Sequence, residues 1–131
     1  MYTTLKIVMS GDLNGTGSLF GGKALAMIDE AAGAYVSLLL NSTKIVTAHI
    51  DEINFISPAF LNEIVGISCS LKKLGNTSIT VSAELKNMMT NSVILKVENI
   101  TFVYMGEEFK PTPLPLTQEQ RLNIISSETK G

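Results

Sequence analysis

Residues 22–40 read Gly22-Lys23-Ala24-Leu25-Ala26-Met27-Ile28-Asp29-Glu30-Ala31-Ala32-Gly33-Ala34-Tyr35-Val36-Ser37-Leu38-Leu39-Leu40. Ala, Leu, Met and Ile dominate, proline is absent, and apolar side chains fall on nearly every face of the helix that this spacing predicts over Gly22 to about Leu40. Such a helix is expected to be enclosed all round, and Asn41 with Ser42 is expected to end it. Asp29 and Glu30 interrupt the longest apolar stretch, Ala24 to Leu40, and would be costly at the middle of a bilayer. The stretch therefore reads as a core helix, not a membrane span.

Upstream, Thr3 to Met9 is a short extended opening, and Ser10 to Gly22 then packs five glycines into thirteen residues. That density marks a loop built for close backbone approach. Downstream the chain reads as strands over about Lys44–Phe55, Glu63–Leu74, Thr77–Lys86 and Ser92–Tyr104, joined by turns at Ser57-Pro58, Gly75-Asn76 and Met89–Asn91. Val65, Ile67, Cys69 and Leu71 alternate with small or polar residues, and Ile79, Val81, Ala83 and Leu85 do the same, as half-buried antiparallel strands require. The first and last of these strands switch apolar parity near Asp51–Ile53 and near Glu98–Ile100, so each is expected to bend or bulge there. After Pro111, Pro113 and Pro115, Thr117 and Gln120 form a capping box for a short terminal helix. One long helix followed by four antiparallel strands predicts an α+β architecture: a curved sheet of about five strands, counting the opening segment, wrapped around one central helix.

The 131 residues fit one domain, 1–131, with 111–131 as a C-terminal tail. Apolar residues make up 45% of the chain and charged residues 17%, which leaves little charge to coat a monomer, so contacts between subunits are expected. A net charge of −2 without a Lys/Arg run argues against nucleic-acid partners. The single Cys69 cannot form an internal disulfide and the chain does not open as a secretory signal would, so a cytoplasmic location is expected.

Asp29 is the chemical anomaly. A carboxylate in this helix must be paired, solvated through a pocket or neutralised, and such a cost often marks a functional site; a wet helix edge or a bridge to a neighbouring subunit would also accommodate it. Gly21-Gly22 at the helix start leaves backbone N–H groups pointing outward with the positive end of the helix dipole, suited to a carbonyl oxygen becoming an oxyanion, and the absent Cβ atoms let a substrate come close. A glycine pair in this place can equally be a flexible cap. His49, the only histidine, lies mid-strand without a nucleophile elbow anywhere in the chain, and one Cys with one His is no zinc cluster. Gly75-Asn76-Thr77-Ser78 follows Lys72-Lys73, a donor-rich turn beside cations that suits phosphate groups or serves as an ordinary hairpin turn.

Asp12-Leu13-Asn14, then Gly17-x-x-Phe20-Gly21-Gly22, then Met27-Ile28-Asp29-Glu30-Ala31-Ala32-Gly33 resemble the signature of acyl-CoA thioesterases of the hot-dog superfamily. Val46-Thr47-Ala48, Phe55-x-x-Pro58, the 75–79 turn, Thr101-Phe102-Val103 and Pro113-x-Pro115 extend the similarity over roughly residues 5 to 115. The resemblance implies the hot-dog fold, with Asp29 as catalytic carboxylate and Gly22 and its neighbours as the amides that polarise the thioester carbonyl. It further implies Asn14 as a loop amide near the site, Phe20 and Gly21 at the substrate, and Lys73 with Gly75, Asn76, Thr77 and Ser78 toward the coenzyme A phosphates. No cofactor or metal is implied beyond coenzyme A in the substrate. A homodimer or assembly of dimers with shared sites is implied. Ser18 stands where relatives often carry Asn or Asp, Asn76 where Arg or Lys is frequent, and Asn62 where the turn after Pro58 usually has Gly. A non-catalytic acyl-CoA binding module and a hot-dog hydratase or dehydratase are the alternative readings.

Overall fold

The computed structural model describes the backbone of residues 2–128 and the side chains of residues 4–128; the last three positions of the expected tail lie outside the described residues. Strands β1 (Tyr2–Ile7), β2 (Ile45–Phe55), β3 (Ile64–Leu74), β4 (Ser78–Asn87) and β5 (Val93–Tyr104) form one antiparallel sheet in the order β1-β3-β4-β5-β2. Helix α1 (Gly21–Leu40) lies on its inner face against β2, β3, β4 and β5. This is the predicted hot-dog architecture.

The core is the meeting of two periodicities. Along β4, buried and half-buried residues alternate without exception, placing Ile79, Val81, Ala83 and Leu85 on the inner face. Val65, Ile67 and Cys69 do the same from β3, and Ile28, Ala32 and Val36 come down from the helix. Each Ile, Leu or Val so buried contributes roughly 1.5–3 kcal/mol. Burial also pushes the Cys69 thiol up to about 11, so the side chain behaves as a small hydrophobe.

The parity switches are resolved by three local devices. In β5, Val81 pairs with Ile100 but Ala83 pairs with Val97, so one extra residue is accommodated at Glu98–Asn99 and both Val97 and Ile100 point inward. In β2 the register slips between Thr47 and His49, earlier than the sequence pattern indicates. Within the expected Asp51–Ile53 segment the register holds, but Glu52 takes a left-handed φ of 51°. Thr47 and Ile50 thus face inward opposite Phe102 and Ile100, and Ile53 and Phe55 face inward opposite Val97 and Leu95. Asn62, in the turn after Pro58, adopts φ 69°, a conformation that Asn tolerates better than most residues.

Helix α1 ends as expected. Asn41 is left-handed at φ 51° and the Ser42 N–H reaches back to the Ser37 carbonyl at 3.1 Å. The expectation of a helix enclosed all round is not met. Ala24, Met27, Ile28, Ala31, Ala32, Tyr35, Val36 and Leu40 are buried, but Gly22, Ala26, Glu30, Ala34 and Leu38 are exposed, Leu38 to 68%. One sheet covers one side of a helix; nothing among the described residues covers the other.

The tail is built into the fold. Leu114 is buried, Leu116 and Ile124 pack against the core, and helix α2 (Gln118–Glu128) lies against β3. Its start is the expected capping box, with the Gln120 N–H donating to Thr117 Oγ1 at 3.1 Å and the Thr117 N–H to Gln120 Oε1 at 2.8 Å. No helix among the described residues is long and apolar enough to cross a membrane.

Candidate active site

Asp29 sits on the third turn of α1, half-buried, on the side that faces β2. The Thr47 hydroxyl donates to Asp29 Oδ1 at 2.8 Å. Of the options that the sequence left open, the structure selects a hydrogen-bonded carboxylate at a wet edge. Among the described residues, a fixed Oδ1 leaves Oδ2 without a protein partner, and β2, which supplies Thr47, is an edge strand with no neighbour on its outer side.

The glycine-rich loop is held by its own polar groups. Asn14 Oδ1 accepts from the Thr16 N–H at 3.0 Å, the Thr16 hydroxyl at 2.7 Å and the Ser18 N–H at 3.1 Å, which closes the 14–18 turn. Asp12 anchors both sides of it: its Oδ2 accepts from the Met9 N–H at 2.9 Å, its carbonyl accepts from the Phe20 N–H at 2.8 Å, and Lys23 Nζ lies 3.7 Å from Oδ1. Leu19 donates to the Ala59 carbonyl at 2.7 Å, tying the loop to the segment after β2. Asn14 is therefore a loop-forming residue, its carbonyl oxygen saturated from within the loop.

The loop delivers Phe20 as an N-cap of extended conformation with no side-chain acceptor, and the first helical hydrogen bond is from Ala24 to the Phe20 carbonyl at 2.9 Å. The amides of Gly21, Gly22 and Lys23 are thus without an intrahelical acceptor at the positive end of the helix. The two glycines make room for aromatic rings. A Cβ on Gly22 would lie 2.7 Å from Phe20 Cε2, and one on Gly21 would lie 3.1 Å from Phe55 Cε1. Both rings are largely exposed, 56% for Phe20 and 60% for Phe55.

Asp29 and Gly22 are seven residues apart on one helix, which sets them roughly 10 Å apart along its axis and on the same face. One chain therefore holds the carboxylate and the free amides in line but does not bring them together. The turn at 75–78 is separate again. Its Gly75 N–H donates to the Ser78 carbonyl at 2.8 Å, its Asn76 carbonyl accepts from Leu114 at 2.8 Å, and Arg121 Nη2 donates to the Leu74 and Gly75 carbonyls at 3.2 and 2.8 Å. Asn76 and Lys73 are exposed beside it.

His49 is the strand-face residue expected, its Nε2 3.1 Å from Asp51 Oδ2. Donation from Asn99 Nδ2 at 2.8 Å, then the His49 contact, holds the Asp51 carboxyl below the usual carboxylate range. Among the described residues no group of three or more His, Cys, Asp or Glu is placed to hold a metal ion. The sequence reading named no role for Thr47, Phe55 or Arg121. Thr47 carried a usable signal, a polar residue in the strand directly after the helix; Arg121 carried none, because its partners lie 46 and 47 residues away.

Residues 16–92 match the family model of the thioesterase superfamily. An uncharacterized acyl-CoA thioester hydrolase of Zymomonas mobilis is 29% identical over 119 residues, covering 88% of this chain and 79% of that protein. The acyl-CoA thioester hydrolase YciA of Salmonella typhimurium is 26% identical over 116 residues, covering 84% of this chain and 86% of its own length. In three dimensions, a hexameric broad specificity acyl-coenzyme A thioesterase superposes with a TM-score of 0.84 at 18% identity, over 98% of this chain and 96% of the other. The model match spans the end of the loop, α1, β2, β3 and β4, and with them the carboxylate, the free amides and the 75–78 turn: the chain belongs to the thioesterase superfamily.

Proposed function

We propose that this chain hydrolyses acyl-CoA thioesters to the free acid and coenzyme A, with Asp29 as the catalytic carboxylate. The observation that carries this reading is the half-exposed Asp29, oriented by Thr47 at the open edge of the sheet and in line with the unbonded amides of the helix start. Amides at a helix start hold a thioester oxygen as it gains negative charge, while Asp29 acts on the carbonyl carbon, as a base toward water or as the nucleophile. With Asp29 as base, the water oxygen bonds to the carbonyl carbon as the carbon–sulfur bond breaks, and the departing thiolate takes up the proton. With Asp29 as nucleophile, the carboxylate displaces the thiolate to give a mixed anhydride, which water hydrolyses to the acid. Asn14 shapes the loop that presents the amides, Phe20 and Gly21 border the acyl group, and Lys73, Gly75, Asn76, Thr77 and Ser78 face the coenzyme A phosphates. The reaction needs no cofactor or metal in this reading, and its setting is the cytoplasm.

A thioester carbon cannot touch two groups roughly 10 Å apart, so the site is completed by a second copy. The free edge of β2 and the uncovered side of α1 favour a homodimer in which two helices run antiparallel about a twofold axis and each Asp29 meets its partner subunit's helix start. Such dimers can assemble further; the solved thioesterase of the same fold is a hexamer.

The reading is tested by thiol release from butyryl-, octanoyl- and palmitoyl-CoA by the wild type and Asp29→Asn. The substitution keeps the shape of the side chain and is expected to lower turnover at least ~10²-fold with an unchanged melting temperature. Turnover near wild type removes Asp29 from the mechanism, and coenzyme A binding without any thiol release identifies a binding module instead.

A further inference from the structure

Arg121 is the only arginine of the chain, and it is carried by the terminal helix, outside the segment matched by the family model. Its guanidinium is brought to the β3–β4 turn, where Nη2 donates to both the Leu74 and Gly75 carbonyls. Leu114, on the segment leading into that helix, grips the next carbonyl, Asn76 O. Three successive carbonyls of the turn are thereby tied to the tail. The capping box of Thr117 and Gln120 and the apolar contacts of Leu116 and Ile124 set the helix that carries Arg121.

A guanidinium has five N–H donors. Two contacts through Nη2 leave Nη1 and Nε without a partner among the described residues, and the side chain is only half-buried. The guanidinium is bonded to the backbone just before Asn76, which is exposed, and Thr77 and Ser78, which are half-buried. Residues 75–78 carry no cation of their own, and Lys73, two residues before them on β3, is exposed and is not anchored to the turn by a hydrogen bond or ion pair among the described residues. We infer that Arg121 is the cation of this turn and a specificity-determining residue, pairing with the phosphate groups of the coenzyme A moiety while its Nη2 holds the turn in shape. A planar, permanently charged fork anchored on backbone carbonyls loses less side-chain freedom on meeting phosphate than a flexible lysine would. The inference rests on the proposed placement of coenzyme A at the 75–78 turn, but it does not require hydrolysis.

The experiment compares Arg121→Gln with the wild type on two thioesters, butyryl-CoA and butyryl-pantetheine, which lacks the phosphates, alongside calorimetric binding of coenzyme A and of pantetheine. Gln keeps an amide donor for the turn carbonyls and removes the charge. Expected is a rise in KM for butyryl-CoA and in Kd for coenzyme A of about 10-fold, with kcat within twofold and the pantetheine values unchanged. Added salt should weaken coenzyme A binding more in the wild type than in the variant, and Asn76→Arg in the Arg121→Gln background should restore affinity. Equal losses for both thioesters reduce Arg121 to a structural tie and overturn the inference, as does an unchanged affinity for coenzyme A or a wild type that binds coenzyme A no better than pantetheine. Arg121-dependent binding of coenzyme A without thiol release supports the inference and sinks the thioesterase reading instead.

Discussion

Strands β4 and β2 belong to one sheet and are of nearly equal length, yet they are built to opposite rules. In β4 every second residue is buried, both edges are paired, and the inner face is closed by α1. β2 pairs on one side only, bulges between Thr47 and His49, turns left-handed at Glu52, and leaves Ile53 and Phe55 exposed on what should be its core face. An edge strand with exposed apolar groups is a surface still to be covered. Asp29 is bonded to this strand and not to the finished part of the sheet. The regular strand makes the fold; the irregular one borders the proposed site.

Two substitutions break this contrast if it is wrong. Leu85→Ala in β4 empties fully buried volume and is expected to cost about 2–5 kcal/mol, read as a fall in the denaturation midpoint with the mass of the assembly unchanged. Phe55→Ser in β2 is expected to alter the stability of the isolated chain by no more than about 1 kcal/mol while lowering the assembly mass in sedimentation, because its ring is exposed within one chain. Equal destabilisation by the two would mean that β2 is a finished strand. A smaller effect sharpens the link between edge and site. Thr47→Val removes the hydroxyl that orients Asp29, and turnover is expected to fall about 10-fold, roughly 1.4 kcal/mol of transition-state stabilisation, with little change in KM.

How far the sequence was legible follows the same division. β3 and β4 were readable because a half-buried strand writes its burial as period two, and Thr117 with Gln120 was readable because a capping box is complete within four residues. The β5 bulge was readable because it leaves a break in apolar parity at Glu98–Asn99. The register slip beside Ala48 was not, since Thr47, Ala48 and His49 offer no apolar contrast to mark it. The apolar surplus of α1 was read as complete enclosure, whereas Ala26, Ala34 and Leu38 face outward; composition records that a face will be covered but not by which chain. Asp29 stood out as a charge among apolar residues. Thr47 and Arg121 did not, because their roles come from contacts 18 and 46 residues away that no local pattern encodes.

That Asp29 and the helix-start amide act on one thioester from different copies is tested most directly by mixing two inactive variants, Asp29→Asn and Gly22→Pro. The proline deletes the amide in the first helical turn, where its missing N–H breaks no helical hydrogen bond, and its Cβ meets the exposed Phe20 ring, a side chain that can turn away. Melting curves of each variant establish that both fold. After dissociation and statistical reassociation, half of the dimers carry one of each chain and one intact site, and thiol release is expected to recover to about a quarter of the wild-type rate. Mixed dimers that form and remain inactive would place the whole site within a single chain and contradict the shared arrangement.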